Sequence, residues 1–207
     1  MTVLYLHGFA SSPASKKAQF FKGKFAAHGV ETLVPDLAQG NFGALTLSGQ
    51  LRAAEQAAEG RPVAVMGSSM GGYLAALYAS RHPETSRVIC LAPAFDFANR
   101  WRARIGDEEW KRWRETGWLP VFHYGENRDA RVGYHLYEDS LAFDAYPKLA
   151  QPILIFHGRN DDVVPPEVSV EFARRAPQAE LRLLDSDHEL IDVLDPMWEE
   201  TWRFLSR

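Results

Sequence analysis

The stretch Gly67-Ser68-Ser69-Met70-Gly71-Gly72 limits more than any other what this chain can become. It follows the apolar run Pro62-Val63-Ala64-Val65-Met66 and precedes Tyr73-Leu74-Ala75-Ala76-Leu77-Tyr78-Ala79, which is rich in helix formers. The order reads as strand, sharp turn, helix. So tight a turn forces its central residue into a strained backbone conformation, and flanking glycines remove the atoms that would collide there. Ser69 then stands clear at the carboxyl edge of a sheet. The next helix aims its amino end at the same spot, where free N–H groups and the dipole favour negative charge. Gly-x-Ser-x-Gly also occurs in turns without chemistry, so its weight depends on the rest of the chain.

Bulk properties remove several functional classes. The 207 residues suffice for one α/β domain with its own core. A net charge of -4 makes no electrostatic case for binding nucleic acid. The single cysteine, Cys90, excludes an internal disulfide and a cysteine-rich metal site. It lies within Val88-Ile89-Cys90-Leu91-Ala92, which reads as a buried, inert thiol. Met1 leads straight into Val3-Leu4-Tyr5-Leu6 without a basic leader, and no apolar stretch is long enough to span a bilayer. The expected location is therefore the cytoplasm, with no membrane span.

Taken in order, strands alternate with helices. A strand over Thr2 to Leu6 ends at His7-Gly8-Phe9. Ser12 is expected to cap a helix with Pro13 at its first position, Phe21 and Phe25 on one face, and Gly29 closing it. Further strands are expected at Val30 to Val34, Val63 to Met66, Val88 to Ala92, Pro152 to Phe156 and Leu181 to Leu184. A helix lies around Leu47 to Ala58, the helix after Ser69 stops at His82-Pro83, and Asp195-Pro196 caps a last helix with Trp198, Trp202 and Leu205 on one face. Continuously apolar strands alternating with helices imply a parallel sheet covered on both faces, with right-handed crossovers.

One segment breaks this rhythm. Roughly sixty residues separate the fourth and fifth strands, where a crossover needs only about a dozen. The insertion, roughly 95–149, holds Trp101, Trp110, Trp113, Trp118, Phe122, Tyr124, Tyr134, Tyr137 and Phe143. These aromatics either pack as a subdomain on the main core or line an apolar pocket over Ser69, and an inserted cap can do both. Trp113 and Trp118 are the expected pocket residues.

A serine nucleophile needs a neighbouring base, and the base needs an orienting acid. His157-Gly158-Arg159-Asn160-Asp161-Asp162-Val163-Val164-Pro165 follows the fifth strand and Asp185-Ser186-Asp187-His188 the sixth, so both emerge at the carboxyl edge that carries Ser69. His188 is the expected base. His28 and His82 end helices, His123 and His135 lie in the insertion, and His7 and His157 suit loop structure better. Three acids compete to orient His188: Asp161, favoured by its spacing from His157-Gly158, then Asp162, and Asp96 after the fourth strand. An oxyanion would be met by two backbone N–H groups, those of Met70 and Phe9.

These residues carry a resemblance. Tyr5-Leu6-His7-Gly8-Phe9-Ala10-Ser11-Ser12-Pro13 with Lys16-Lys17, together with Gly67-Ser68-Ser69-Met70-Gly71-Gly72-Tyr73, resembles the small bacterial YqiA-like esterases of the α/β-hydrolase superfamily. His-Gly-x-x-Asp-x-Val-Val-Pro and the late Asp-His are similar to the wider serine hydrolases of that superfamily, in which Gly-x-Ser-x-Gly is the nucleophile elbow and the order is Ser, acid, His. The resemblance implies Ser69 as nucleophile, Asp161 as acid and His188 as base, with no cofactor and no metal. The expected fold is a single α/β-hydrolase domain over 1–207, with a shortened, mainly parallel sheet of about six strands and an aromatic-rich cap. The expected activity is cleavage of a small-molecule carboxylic ester through an acyl-enzyme. The alternatives are an acyl thioesterase, a cofactor-free haloperoxidase or perhydrolase, and a non-catalytic binding protein on the same fold.

Overall fold

The computed structural model describes residues 1–207. The first half runs β1 (Thr2–Leu6), α1 (Lys16–Ala27), β2 (Glu31–Leu33), α2 (Leu47–Ala58), β3 (Ala64–Ser68), α3 (Met70–Arg81) and β4 (Val88–Leu91). The insertion follows as α4 (Phe97–Ile105), α5 (Asp107–Thr116), β5 (Trp118–His123), β6 (Arg128–Gly133) and α6 (His135–Ser140). The chain returns with β7 (Ile153–Gly158), α7 (Glu167–Arg175), β8 (Ala179–Leu184) and α8 (Leu194–Leu205). Six strands form one sheet in the order β2-β1-β3-β4-β7-β8, and every pairing in it is parallel. β5 and β6 form a separate antiparallel hairpin.

Period-two alternation splits the core into two layers. On β1, Leu4 and Leu6 face the side covered by α2 and α3, while Val3 and Tyr5 face α1 and α8. In the second layer Phe25 meets Trp198 edge-on with centroids 5.1 Å apart, and Trp198 stacks on Trp202 at 5.6 Å. Those tryptophans are core, and the buried Cys90 thiol is held far above its ordinary pKa by desolvation.

Two helix starts differ from expectation. α1 begins at Lys16 with Ser15 as its cap, accepting from the Ala18 N–H at 3.4 Å, instead of at Ser12-Pro13. The Ser12 carbonyl is committed to the Ser15 N–H (3.0 Å), so a separate turn precedes the helix. α8 begins at Leu194, one residue ahead of Asp195-Pro196, with Asp195 in its first turn paired to Lys24 at 2.8 Å.

The insertion has its own aromatic centre. Trp113 is fully buried and donates from Nε1 to the Val132 carbonyl (3.1 Å), with Trp101, Trp110 and Tyr134 around it. This cluster is continuous with the α2–α3 layer through Phe97 and Leu119. The hairpin turn reaches back to the loop after β1, where the Gly125 N–H donates to the Ala10 carbonyl at 3.2 Å.

α3 packs closely against β3 and β1. A Cβ on Gly67 would sit 2.0 Å from the Gly71 carbonyl oxygen, and one on Gly71 would sit 2.1 Å from the Leu6 carbonyl oxygen. Both neighbours are backbone and cannot rotate away. Gly67→Ala or Gly71→Ala is expected to destabilise the protein by about 3 kcal/mol or more, the upper end of overpacking. Urea unfolding measures it, and a loss below about 1 kcal/mol would contradict the close approach.

Candidate active site

The site is assembled from strand ends. Ser69 follows β3 directly, with φ 55° and ψ -118°. A non-glycine residue held there stores on the order of 1–3 kcal/mol of strain. Its backbone is overdetermined: Ser69 N–H donates to the Leu91 carbonyl (2.8 Å), while its own carbonyl accepts from Gly72, Tyr73 and Ala94 N–H groups at 2.9, 3.1 and 3.0 Å. The side chain makes no capping bond to α3.

His188 reaches Ser69 from the loop after β8. Its Nε2 lies 3.1 Å from Ser69 Oγ and its Nδ1 lies 2.7 Å from Asp161 Oδ2. The loop is shaped by Asp187, whose Oδ1 accepts the Glu189 N–H at 2.8 Å, and by Leu190 at φ 55°. It passes directly over Gly158, where a Cβ would lie 2.3 Å from the Asp187 carbonyl oxygen. The Asn160 N–H donates to the Ser186 carbonyl (3.0 Å), tying the Asp161 loop to the His188 loop.

Asp161 is buried and its carboxylate is fully engaged. Oδ1 accepts the Val163 and Val164 N–H groups at 2.9 and 2.7 Å, and Oδ2 meets His188 Nδ1 at 2.7 Å and His157 Nε2 at 3.1 Å. Burial pushes its pKa up, but the hydrogen bonds from His157, His188 and Val164 prevail and hold it well below the usual carboxylate range. Because both oxygens accept, the Nδ1 proton sits on His188 facing Asp161 and Nε2 is free to accept from the Ser69 hydroxyl. The other acids lie elsewhere. Asp96 caps α4 in the left-handed region and accepts from Asn99 Nδ2, and Asp162 presents its carbonyl to Arg104.

His157 exceeds the loop role expected of it. Fully buried, it accepts the Ser169 hydroxyl proton at Nδ1 (2.7 Å) and shares its Nε2 proton between the Val164 carbonyl (2.9 Å) and Asp161 (3.1 Å). The sequence signal was its spacing of four from Asp161, masked by its place inside an apolar strand. His7 does serve the loop: Nδ1 donates to the Gly8 carbonyl (3.0 Å) and Nε2 accepts the Leu37 N–H (3.2 Å), while burial lowers its pKa.

Ser69 and His188 open into a cavity of about 1290 Å³, which Phe9 and Met70 also line. Its apolar wall is Phe97, Trp101 and Ile105 from α4 with Leu119 and Val121 from the hairpin. The expected pocket residues are corrected here. Trp113 is buried behind Trp101, with centroids 5.3 Å apart, and Trp118 lies on the outer side of the hairpin beneath Arg131. Neither borders the cavity; Trp101 does, packed edge-on against Phe9 at 5.2 Å. No group of three or more His, Cys, Asp or Glu side chains is arranged to hold a metal ion, and no helix is long and apolar enough to cross a membrane.

A parallel sheet with a serine at the β3–α3 turn and acid and histidine on later strand ends defines an α/β-hydrolase fold. The chain belongs to the uncharacterised protein family UPF0227, whose pattern matches residues 2–204. Solved structures share the architecture. The mouse alpha/beta hydrolase domain-containing protein 10 superposes with a TM-score of 0.84 at 18% identity, covering 99% of this chain and 89% of that one. A protein from Agrobacterium vitis S4 gives 0.85 at 23% identity, with 98% and 87% covered. Est1E from Butyrivibrio proteoclasticus, with ferulic acid bound, gives 0.82 at 20% identity, with 99% and 87% covered.

The depressed Asp161 makes a prediction about acid stability. A carboxyl whose pKa falls on folding contributes stability that is fully present above its unfolded value of about 3.9 and is lost as pH falls towards its folded value. Asp161→Asn is therefore expected to flatten the loss of Tm between about pH 4 and pH 2.5 relative to wild type. Equal slopes in both proteins would contradict the burial and bonding of this group. Ser169→Ala, which leaves His157 Nδ1 unpaired in the core, is expected to lower stability by about 1–3 kcal/mol in urea unfolding.

Proposed function

We propose that the protein is a serine hydrolase that cleaves carboxylic esters through an acyl-enzyme. The observation that carries this reading is the continuous hydrogen-bond chain from Ser69 Oγ to His188 Nε2 (3.1 Å) and from His188 Nδ1 to Asp161 Oδ2 (2.7 Å).

In the first step Ser69 Oγ attacks the ester carbonyl carbon while His188 Nε2 takes its proton. The carbonyl oxygen becomes an oxyanion, to be met by the Met70 and Phe9 N–H groups. Met70 is the first residue of α3 and Phe9 lies on the loop shaped by His7, and both line the cavity beside Ser69. When the carbon–oxygen bond to the alcohol breaks, the imidazolium returns its proton to the leaving oxygen. A water then gives its proton to His188 and its oxygen to the acyl carbon, which releases the acid and restores Ser69. Asp161 stays ionised throughout, holds the Nδ1–H tautomer and stabilises the imidazolium. The same parts would cleave a thioester, with a thiol in place of the alcohol.

Ser69→Ala is expected to lower kcat by about 10⁴ or more on p-nitrophenyl butyrate, and a fluorophosphonate probe should label Ser69 in wild type and nothing in the variant. An active alanine variant, or labelling at Ser68 or Ser11, would refute the reading. Asp161→Asn should cost about 10⁴ in kcat, with Asp162→Asn and Asp96→Asn within about tenfold of wild type. If the ranking reverses at equal melting temperature, the acid is misassigned. Trp101→Ala, which widens the apolar wall, is expected to move the preferred acyl length upwards on a panel of esters and thioesters from acetyl to decanoyl. An unchanged preference would remove Trp101 from the acyl site.

A further inference from the structure

The charge lining the cavity runs against the charge of the whole chain. The protein carries -4 overall, yet Lys16, Lys17, Arg100, Arg104 and Arg112 border the cavity against only Glu109 and Glu189. Arg112 and Glu109 pair with each other at the rim. Lys16, Lys17, Arg100 and Arg104 have no carboxylate within ion-pair distance, whereas Arg102, on the outer side of α4, pairs with Asp107 at 2.9 Å. The arginines bond only to carbonyls: Arg100 to Phe95 and Val163, each at 3.2 Å, and Arg104 to Val163 at 3.0 Å.

Lys17 is the most telling of the four. Its half-buried ammonium has three donors and spends one, on the Glu189 carbonyl at 2.7 Å. Burial lowers its pKa, against the opposing pull of Glu189, Asp161 and Asp187, none of which comes within ion-pair distance of it. The bond to Glu189 places it beside His188, the residue that hands a proton to the leaving oxygen. A leaving group that takes its proton from His188 on that side would have Lys17 within the same cavity, with the apolar wall left for the acyl group.

We propose that Lys17, backed by the cationic side of α4, forms an anion subsite for the leaving group, so that the substrate is an ester or thioester whose alcohol or thiol half carries a carboxylate or phosphate. The proposal rests on the Ser69–His188 hydrolysis inferred above and adds the class of substrate to it. A purely structural Lys17, which only pins the His188 loop to α1, is the competing account, and it predicts no dependence on substrate charge.

The experiment compares butyrate esters of three phenols of matched acidity, bearing a carboxylate, a phosphate or a neutral carboxamide, with a fourth ester whose carboxylate sits on the acyl half. Wild type is expected to show kcat/KM about tenfold or more higher for the anionic phenols than for the neutral one, an advantage that shrinks with added NaCl. The larger of the two anionic preferences names the group. In Lys17→Met the anionic-to-neutral ratio should collapse towards unity, and in Lys17→Arg it should be largely kept. Equal rates on all phenols overturn the subsite, as does a fall in every rate at constant ratio in Lys17→Met. A preference for the acyl-side carboxylate overturns its placement. If none of the esters is cleaved, the hydrolase reading fails, and calorimetry with phenyl phosphate then tests the subsite alone. Binding to wild type and its loss in Lys17→Met sustain the subsite; equal binding or none overturns it.

Discussion

The strained backbone of Ser69 is the constraint on which the rest of the structure depends. A positive φ at a serine survives only where the surroundings leave no alternative, and here the carbonyl of Leu91 and the N–H groups of Gly72, Tyr73 and Ala94 remove the alternatives. Those bonds need β3 beside β4 and α3 close beneath β1. Gly67 and Gly71 permit that approach, since each places backbone where a Cβ would stand. The hydroxyl is thus aimed by the centre of the sheet instead of by a mobile loop, and its strain of order 1–3 kcal/mol is spread over a core that can hold it.

The second half of the site solves a different problem, the burial of a charge. An isolated carboxylate in the core would take up a proton, and a neutral acid could not orient an imidazole or stabilise its cation. Asp161 stays charged because two backbone N–H groups and two imidazole N–H groups converge on it. His157 is the innermost of these, locked by Ser169 behind it. The chain of contacts Ser169–His157–Asp161–His188–Ser69 therefore runs from α7 to the elbow, and its buried end sets the electrostatics of its exposed end.

How much of this was legible in the sequence depends on the range of the forces involved. The elbow, the six parallel strands, and the ends of α2 and α3 are written locally, in apolar runs and Gly and Pro punctuation, and the structure has them within a residue or two. Asp161 was favoured over Asp162 and Asp96 by its spacing from the preceding strand, because a fixed strand end leaves one side chain facing the His188 loop; the structure pairs it with His188. The start of α1 is ambiguous in the sequence because Ser12-Pro13 and Ser15-Lys16 are both acceptable caps, and the earlier one is diverted into a turn that the hairpin tip closes over. His157 is hard to single out because a histidine within an apolar strand looks like a satisfied core residue; both of its nitrogens are indeed bonded, but the Nε2 side reaches Asp161.

The insertion shows where pattern alone stops. Its aromatics mark it as a subdomain with a core, but a run so rich in tryptophan does not say which ring faces inward and which faces the cavity. That is decided by how α4 sits on the sheet. Phe97 and Trp101, four apart on α4, lie along one stripe and turn it towards Phe9 and Ser69, so Trp113 on α5 becomes the support behind Trp101 instead of the wall itself. Arg100 and Arg104, also four apart, form the adjoining stripe and bond the carbonyls of the Asp161 loop. One short helix thereby joins three things that the sequence presents as separate: the apolar wall of the cavity, the positive charge at its edge, and the loop that holds the buried carboxylate. A change in the packing of α4 would reach all three together, which couples the shape of the cavity to the geometry at Ser69.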